Sequence, residues 1–444
     1  MTSVPAAAAG ADIPAAAGGA GFTQASTGAW PPRRLRHDRP FLTFWTGQTV
    51  SMAGGQVGFL AIPLAAVLIL DAHAWQAGLL AAAGRLPYLV FGPHAVGWVT
   101  RVPRRPVLIH TALARATALA SVPVAAALGL LTIEQLYAVA FIVGTLALFS
   151  GTASQALLPV LAGPRGLAEA TGRFEMSRTF TGMAGPSAGG ALIQTLTAPL
   201  ALLADGICSL IAAALLAGVR VHEAKPVPSA GRPPVWPQFR TGLTVVRRHP
   251  MLRWTAIASA TSHLFTHALL AIVLLYLVRT LQLSPAMIGI MLGISGVGAL
   301  LGAASGLGLA RSVGLGPALV LSAGVTAAGA LLLALASGPP QIRLAWVSLA
   351  YPIFAFGCPA FTVAVISLRR ALAPDRLLVR AAVPMRLLAW STMPLGALLG
   401  GALGEWVGLR ETMLIASAGL LLPPLLLALS PVRTVRSTAR PRIT

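Results

Sequence analysis

The sequence predicts an all-α membrane protein of twelve transmembrane helices in two pseudo-symmetric six-helix bundles. Two observations carry this. First, 56% of the 444 residues are hydrophobic and only 10% are charged, with a mean hydropathy of +0.80. A water-soluble core cannot absorb that much apolar surface, so lipid must act as solvent. Second, the chain repeats itself about 210 residues apart. Ala74-Trp75-Gln76-Ala77-Gly78-Leu79-Leu80 returns as Pro285-Ala286-Met287-Ile288-Gly289-Ile290-Met291, and Gly189-Gly190-Ala191-Leu192 returns as Gly400-Gly401-Ala402-Leu403. Duplicated sets of membrane helices are the sequence signature of secondary transporters, in which two similar bundles rock about a central site.

About 20 apolar residues cross the hydrocarbon, and twelve such stretches follow one another: 42–70, 75–98, 106–131, 134–162, 170–197, 199–219, 254–280, 285–309, 315–337, 342–368, 380–408 and 411–429. Those longer than the bilayer is thick imply tilt or projection beyond it. Residues 1–32, mostly Ala, Gly, Ser and Thr, lack the pattern to fold and are expected to form a disordered tail; no charged segment precedes an apolar core there, as a cleaved signal would need. Residues 33–219 form the first bundle and 253–430 the second. The proline-rich segment 220–252, with Pro226, Pro228, Pro233, Pro234 and Pro237, reads as the linker between them, and 431–444 as a tail.

The net charge of +21 would suggest nucleic acid if the basic residues shared a folded face. Instead they fall in alternate loops. Arg33, Arg34, Arg36 and Arg39 precede the first span, Arg101, Arg104 and Arg105 follow the second, Arg165 and Arg173 follow the fourth, and Arg220, Lys225, Arg232, Arg240, Arg247 and Arg248 fill the linker, with Arg253 just beyond it. By the positive-inside rule both termini and the linker are cytoplasmic, and nucleic-acid binding is excluded. Cys208 and Cys358 both lie within spans without disulfide or zinc spacing, and pack as small hydrophobes. No phosphate-binding loop, nucleophile–base set or paired carboxylates stand out, so neither an enzyme, a cofactor nor a resident metal is expected.

Several runs resemble the major facilitator superfamily: Trp45-Thr46-Gly47-Gln48 with Ser51, Gly54 and Ala61-Ile62-Pro63-Leu64; Gly185-Pro186-Ser187-Ala188-Gly189-Gly190; Ser367-Leu368-Arg369; Pro374-Asp375-Arg376; and Pro394 to Gly401. Within it the chain resembles the drug-exporter branch that holds macrolide-efflux and enterobactin-exporter proteins, over roughly residues 38–433. The resemblance implies the major facilitator fold, a bacterial cytoplasmic membrane, a monomer, and export of a small amphiphilic molecule by proton antiport. An uncoupled facilitator or importer, and a transport-inactive sensor, are the alternatives.

The motifs have physical content. Gly185, Gly189 and Gly190 at helical spacing let a neighbouring backbone approach closely, and Pro186 removes a backbone hydrogen bond and favours a bend; together they resemble the antiporter motif of exporters. Gly396, Gly400 and Gly401 are their expected partner-helix counterparts. Gly92, Arg101, Arg104 and Arg105 resemble the signature loop after the second helix, with a gating role or a plain topology role for the arginines. That loop usually carries an aspartate where Thr100 stands. Likewise Gly55, Ala112 and Gly151 stand where the branch usually has acidic residues.

A proton-coupled cycle needs a titrating group, and few remain. Asp205 in the sixth span, Glu175 and Glu405 are the carboxylates to weigh. Arg85 lies near the middle of the second span, where a lone charge costs about 2.5–3.5 kcal/mol on insertion scales, so it should face a cavity or a partner. Asp205 is its candidate counter-ion. Arg115 in the third span matches a family arginine, with a cavity or interhelical ion-pair role expected of it. His263 and His267 lie one turn apart on one helix face, a pair able to titrate between about pH 5 and 8 or to contact substrate.

Overall fold

The computed structural model describes residues 35, 38–99, 101–219, 235–372 and 375–435; the expected N-terminal tail, Thr100, much of the linker and the end of the C-terminal tail lie outside them. The described chain is almost wholly helical. Its elements are α1 (Arg39–Leu68), α2 (Ala74–Val90), α3 (Gly92–Val99), α4 (Arg104–Ala127), α5 (Ile133–Thr195), α6 (Ala198–Gly218), α7 (Val235–Arg248), α8 (Pro250–Leu275), α9 (Pro285–Ser312), α10 (Leu315–Ala334), α11 (Pro340–Leu372), α12 (Asp375–Trp406), α13 (Leu409–Gly419) and α14 (Leu422–Leu429). Ten helical stretches are long and apolar enough to cross a membrane. The other two passes are α2 with α3, interrupted by a turn at Phe91, and residues 164–195 of α5. The twelve passes expected from the apolar runs are therefore present as helices.

Local chemistry explains the breaks. α5 is one run of 63 residues only by hydrogen bonding, because Gly163 takes φ 66°, ψ 172° and turns the chain back on itself. Only glycine reaches such a conformation without strain. The expected bend at Pro186 is not what divides this helix; its one non-helical residue is Gly163. At the ends remote from the linker, Thr132 and Ser284 cap α5 and α9, each hydroxyl accepting from a backbone N–H three residues on (Gln135, 3.3 Å; Met287, 3.4 Å). Within the linker, Val235–Arg248 is a helix that packs on α12 and α8, burying Val246 against Leu252, Ala256 and Met385. Pro226, Pro228, Pro233 and Pro234 all precede this helix, and Pro237 sits in its first turn, where a missing N–H does no harm.

Within the first bundle α1 packs on α6 and α5, α4 on α6 and α5, and α2 on α5; within the second α9 packs on α11, α10 on α11, and α12 on α8. The two bundles meet through α2 against α12 and α5 against α9. The ends that carry Gly163, Gly218 and α7 form what we call the linker face; the opposite ends form the far face. One hydrophobic core joins both bundles near the far face, including Leu64, Leu119, Leu269, Tyr276, Met291 and Phe354. Smaller clusters near the linker face stay within one bundle, around Phe41, Phe44 and Leu157 in the first and around Leu315, Leu319 and Leu368 in the second.

Candidate functional site

The repeat read in the sequence has a packing counterpart. Gly185 and Gly189 of α5 lie against Gln56 and Val57 of α1, where an added Cβ would come within 2.5 Å and 3.3 Å of their atoms. Gly396 and Gly400 of α12 lie in the same way against Leu264, His267 and Ala268 of α8, with 2.2 Å and 2.1 Å to the carbonyl oxygens of Leu264 and Ala268. Gly190 meets Gly289 of α9, and Gly401 meets Gly78 of α2, backbone on backbone. These glycines thus bring each bundle's own helices together and then close one bundle on the other, as small residues do in lipid.

The two bundles are also tied at the far face by polar contacts. Arg279, in the π-helical turn Tyr276–Thr280 that follows α8, forms an ion pair with Asp71. Glu405 accepts a hydrogen bond from the backbone N–H of Trp75 (3.2 Å), at the start of α2. Ser187 donates to the carbonyl of Gly289 (3.2 Å). The close approaches of α5 to α9 lie at residues 182–190 and 285–296, while Met176 and Phe180, nearer the linker face, are 69% and 68% exposed. Tyr88 of α2 and Trp390 of α12 keep one contact between bundles on that side, edge to face at 6.1 Å, with the indole lying over Gly92.

Between the bundles lies a cavity of about 320 Å³ whose wall is mostly apolar, with Arg85, Arg115, Tyr88, His267 and Tyr351 as its polar groups and Phe59 and Leu274 among its apolar ones. No carboxylate is among the described residues that line it.

Asp205 lies just behind this wall and is fully buried. The expected pairing with Arg85 is corrected by the structure: Asp205 is held by Arg115, in a two-pronged contact of Nε to Oδ1 at 3.1 Å and Nη2 to Oδ2 at 2.7 Å. The pair bridges α4 and α6, and a forked guanidinium matches a carboxylate in this geometry. Three glycines of α1 make room for it. A Cβ on Gly58 would fall 2.1 Å from Asp205 Oδ2, one on Gly54 3.0 Å from Oδ1, and one on Gly55 3.3 Å from Arg115 Nη2. Gly55 therefore faces the Arg115 guanidinium.

The other two candidate carboxylates do not line the cavity. Glu175 pairs with Arg178 three residues on, both side chains exposed, at 58% and 67%. Glu405 caps α2 as described. Arg85 has neither an ion pair nor a hydrogen bond among the described residues. His263 and His267 stack with ring centroids 6.3 Å apart and planes at 23°. His267 faces the central cavity, and His263 faces a second one. In the signature loop Arg105 reaches the end of α6, donating to the carbonyls of Leu216 (Nε, 3.0 Å) and Ala217; Arg101 is exposed. Arg105 is thus a helix cap with the right charge for a C-terminus, a role that neither sequence reading of the loop contained. The described residues include no cluster of three or more His, Cys, Asp or Glu able to hold a metal.

A polytopic helical membrane protein, two-fold repeated, with a mostly apolar cavity between its bundles, is the class this architecture defines. The sequence profile of the Major Facilitator Superfamily matches residues 44–383, and the chain belongs to that family. It is a transporter by family and fold. No curated protein matches it by sequence. Solved structures share the fold at low identity. A mutant of the nucleoside transporter NupG superposes with a TM-score of 0.73 at 12% identity, covering 88% of this chain and 99% of that one. A bacterial homologue of the iron transporter ferroportin in an inward-facing state gives 0.68 at 17%, covering 88% and 98%. The human organic anion transporter MFSD10 gives 0.55 at 16%, covering 90% and 100%.

Proposed function

We propose that the chain is a secondary active exporter of a small amphiphilic molecule, such as a drug, antibiotic, siderophore or other secondary metabolite, in the bacterial cytoplasmic membrane with the linker face in the cytoplasm. The observation that carries this is the central cavity: an apolar wall suits the body of an amphiphile, and Arg85, Tyr88 and His267 offer a few orienting polar contacts. Closure at the far face and separation of α5 from α9 toward the linker face support a carrier poised to load from the cytoplasm. The cargo binds between the bundles, the bundles rock about it, and the Gly78–Gly401 and Gly190–Gly289 contacts part to release it outside.

Proton antiport is the proposed drive. With Asp205 committed to Arg115, and Glu175 and Glu405 outside the cavity lining, the stacked His263 and His267 are the proton carriers we favour. The absence of a carboxylate among the described cavity residues favours a second reading, an uncoupled facilitator. The test is efflux of a panel of antibiotics, siderophores and dyes from inverted vesicles under an imposed pH gradient, with and without a protonophore, for the natural chain, Asp205→Asn and His263→Ala. Protonophore-sensitive transport lost in His263→Ala supports the antiporter; transport that survives collapse of the gradient selects the facilitator. Folded protein that moves no compound would refute both.

A further inference from the structure

The second cavity, of about 430 Å³, lies between α8, α11 and α12 on the linker-face side of His263. Its polar lining is Ser259, His263, Thr362 and Arg369; Phe361 and Val365 are among its apolar groups. Two of these polar groups are left unmet: Arg369 Nε and Ser259 Oγ are buried without a hydrogen-bond partner. Buried polar atoms are nearly always satisfied in folded proteins, and a cation's donor is among the costlier ones to leave open. No carboxylate is among the described residues lining this cavity, and no described ion pair includes Arg369. Thr362 donates to the carbonyl of Cys358 (3.0 Å) and does not accept from Arg369 Nε.

The central cavity repeats the pattern, with Arg85 as its unpaired cation and again an apolar wall. The stacked imidazoles stand between the two, one ring in each. Two cavities on one route therefore present the same demand: an acceptor-bearing anion on an apolar body. A cationic cargo would meet an unscreened guanidinium in both.

We infer that the cavity at Arg369 and Ser259 is an admission site that binds the negatively charged head group of the cargo, and that the cargo is an amphiphilic organic anion passed from Arg369 to Arg85. This rests on the transporter reading above and narrows its substrate class. An anionic lipid offers the same head-group chemistry, so the test must separate the two.

The full-length chain in nanodiscs of zwitterionic phosphatidylcholine is titrated with three probes sharing one ring system: naphthalene-1-sulfonate, 1-naphthylmethylammonium and 1-naphthalenemethanol. The sulfonate should bind at least about tenfold tighter than the other two, and Arg369→Gln or Arg85→Gln should each weaken it by about tenfold or more, the usual worth of a charged hydrogen bond. Arg369→Lys should restore part of the loss. Without ligand, Arg369→Gln should melt no lower than the natural chain, because no described ion pair or hydrogen bond of the guanidinium Nε is removed; a clear drop would mark a structural role and overturn the assignment. Equal or tighter binding of the ammonium probe, no binding of the sulfonate, or sulfonate binding indifferent to both variants would also overturn it. Loss of sulfonate binding on adding phosphatidylglycerol would reassign the site to a lipid. Counterflow in vesicles is scored separately: sulfonate binding without counterflow sinks the transport reading alone, and counterflow of the cation alone sinks the anion inference.

Discussion

Gly58→Ala is the smallest change that probes the buried ion pair. The new methyl would lie 2.1 Å from Asp205 Oδ2, more than an ångström inside ordinary contact, with the carboxyl carbon at 3.2 Å. The carboxylate has little freedom to retreat. Its oxygens are bound by Arg115 at 3.1 Å and 2.7 Å. Either the pair opens, which costs about 3–5 kcal/mol for a buried pair, or α1 shifts and strains its packing on α6, at about 1–3 kcal/mol. The cheaper route sets the outcome, so a loss of about 2–3 kcal/mol is expected. The same model predicts its own rescue. With the carboxylate gone in Asp205→Ala, the nearest remaining atom to the new methyl is Arg115 Nη2 at 3.7 Å, an ordinary distance. Gly58→Ala should then cost under about 1 kcal/mol in that background. The assay is a double-mutant cycle on reversible unfolding of the purified protein in bicelles, with a coupling energy of roughly 1–2 kcal/mol expected. Additivity of the two changes within about 0.5 kcal/mol, the range seen for independent sites, would refute the reasoning.

Three other outcomes follow from contacts already described. Gly78→Val places a Cβ 2.6 Å from the Cα of Gly401, so α2 and α12 must part; spin labels at Thr195 and Gln282 on the far face should gain a longer-distance population, and an unchanged distribution would count against this seam as the closure. Arg105→Ala removes the cap on the α6 carbonyls and should lower stability by about 1 kcal/mol, while Arg101→Ala, at an exposed position, should change the unfolding midpoint little. Asp71→Asn opens an ion pair whose acid is 89% exposed; it should cost no more than about 1 kcal/mol, and less at high salt, by the same unfolding assay.

The sequence was most legible where backbones touch. A helix crossing at Gly190–Gly289 or Gly78–Gly401 admits no side chain, so the requirement is written directly as glycine, twice over, at matching places in the two halves. The choice of partner for Asp205 was not written that way. Arg85 and Arg115 are both single arginines in apolar runs, and only the rotation and depth of α2 and α4 about α6 decide which one the carboxylate meets. Arg369 was legible only as part of the Ser367-Leu368-Arg369 run, not as the cation of a cavity, for a related reason. Hydropathy treats it as a basic residue at the end of a span, yet α11 continues past it to Leu372, and a helix end inside the protein differs from one at its surface in ways that composition does not record. The helix at Val235–Arg248 was hidden by the prolines crowded before it.

The seam at the far face has one further consequence. It is built from peptide planes resting on peptide planes, with Asp71–Arg279 as an exposed ionic clasp at its edge, and so it resembles a plain bearing more than a latch. The Ser187–Gly289 and Trp75–Glu405 hydrogen bonds must break as such a surface opens, but most of it parts and reseats by shape alone. The pace of opening is then governed by how readily lipid and water wedge into a gap one carbon wide. Bilayer thickness and temperature, rather than ionic strength, become the natural controls on how fast this protein turns over.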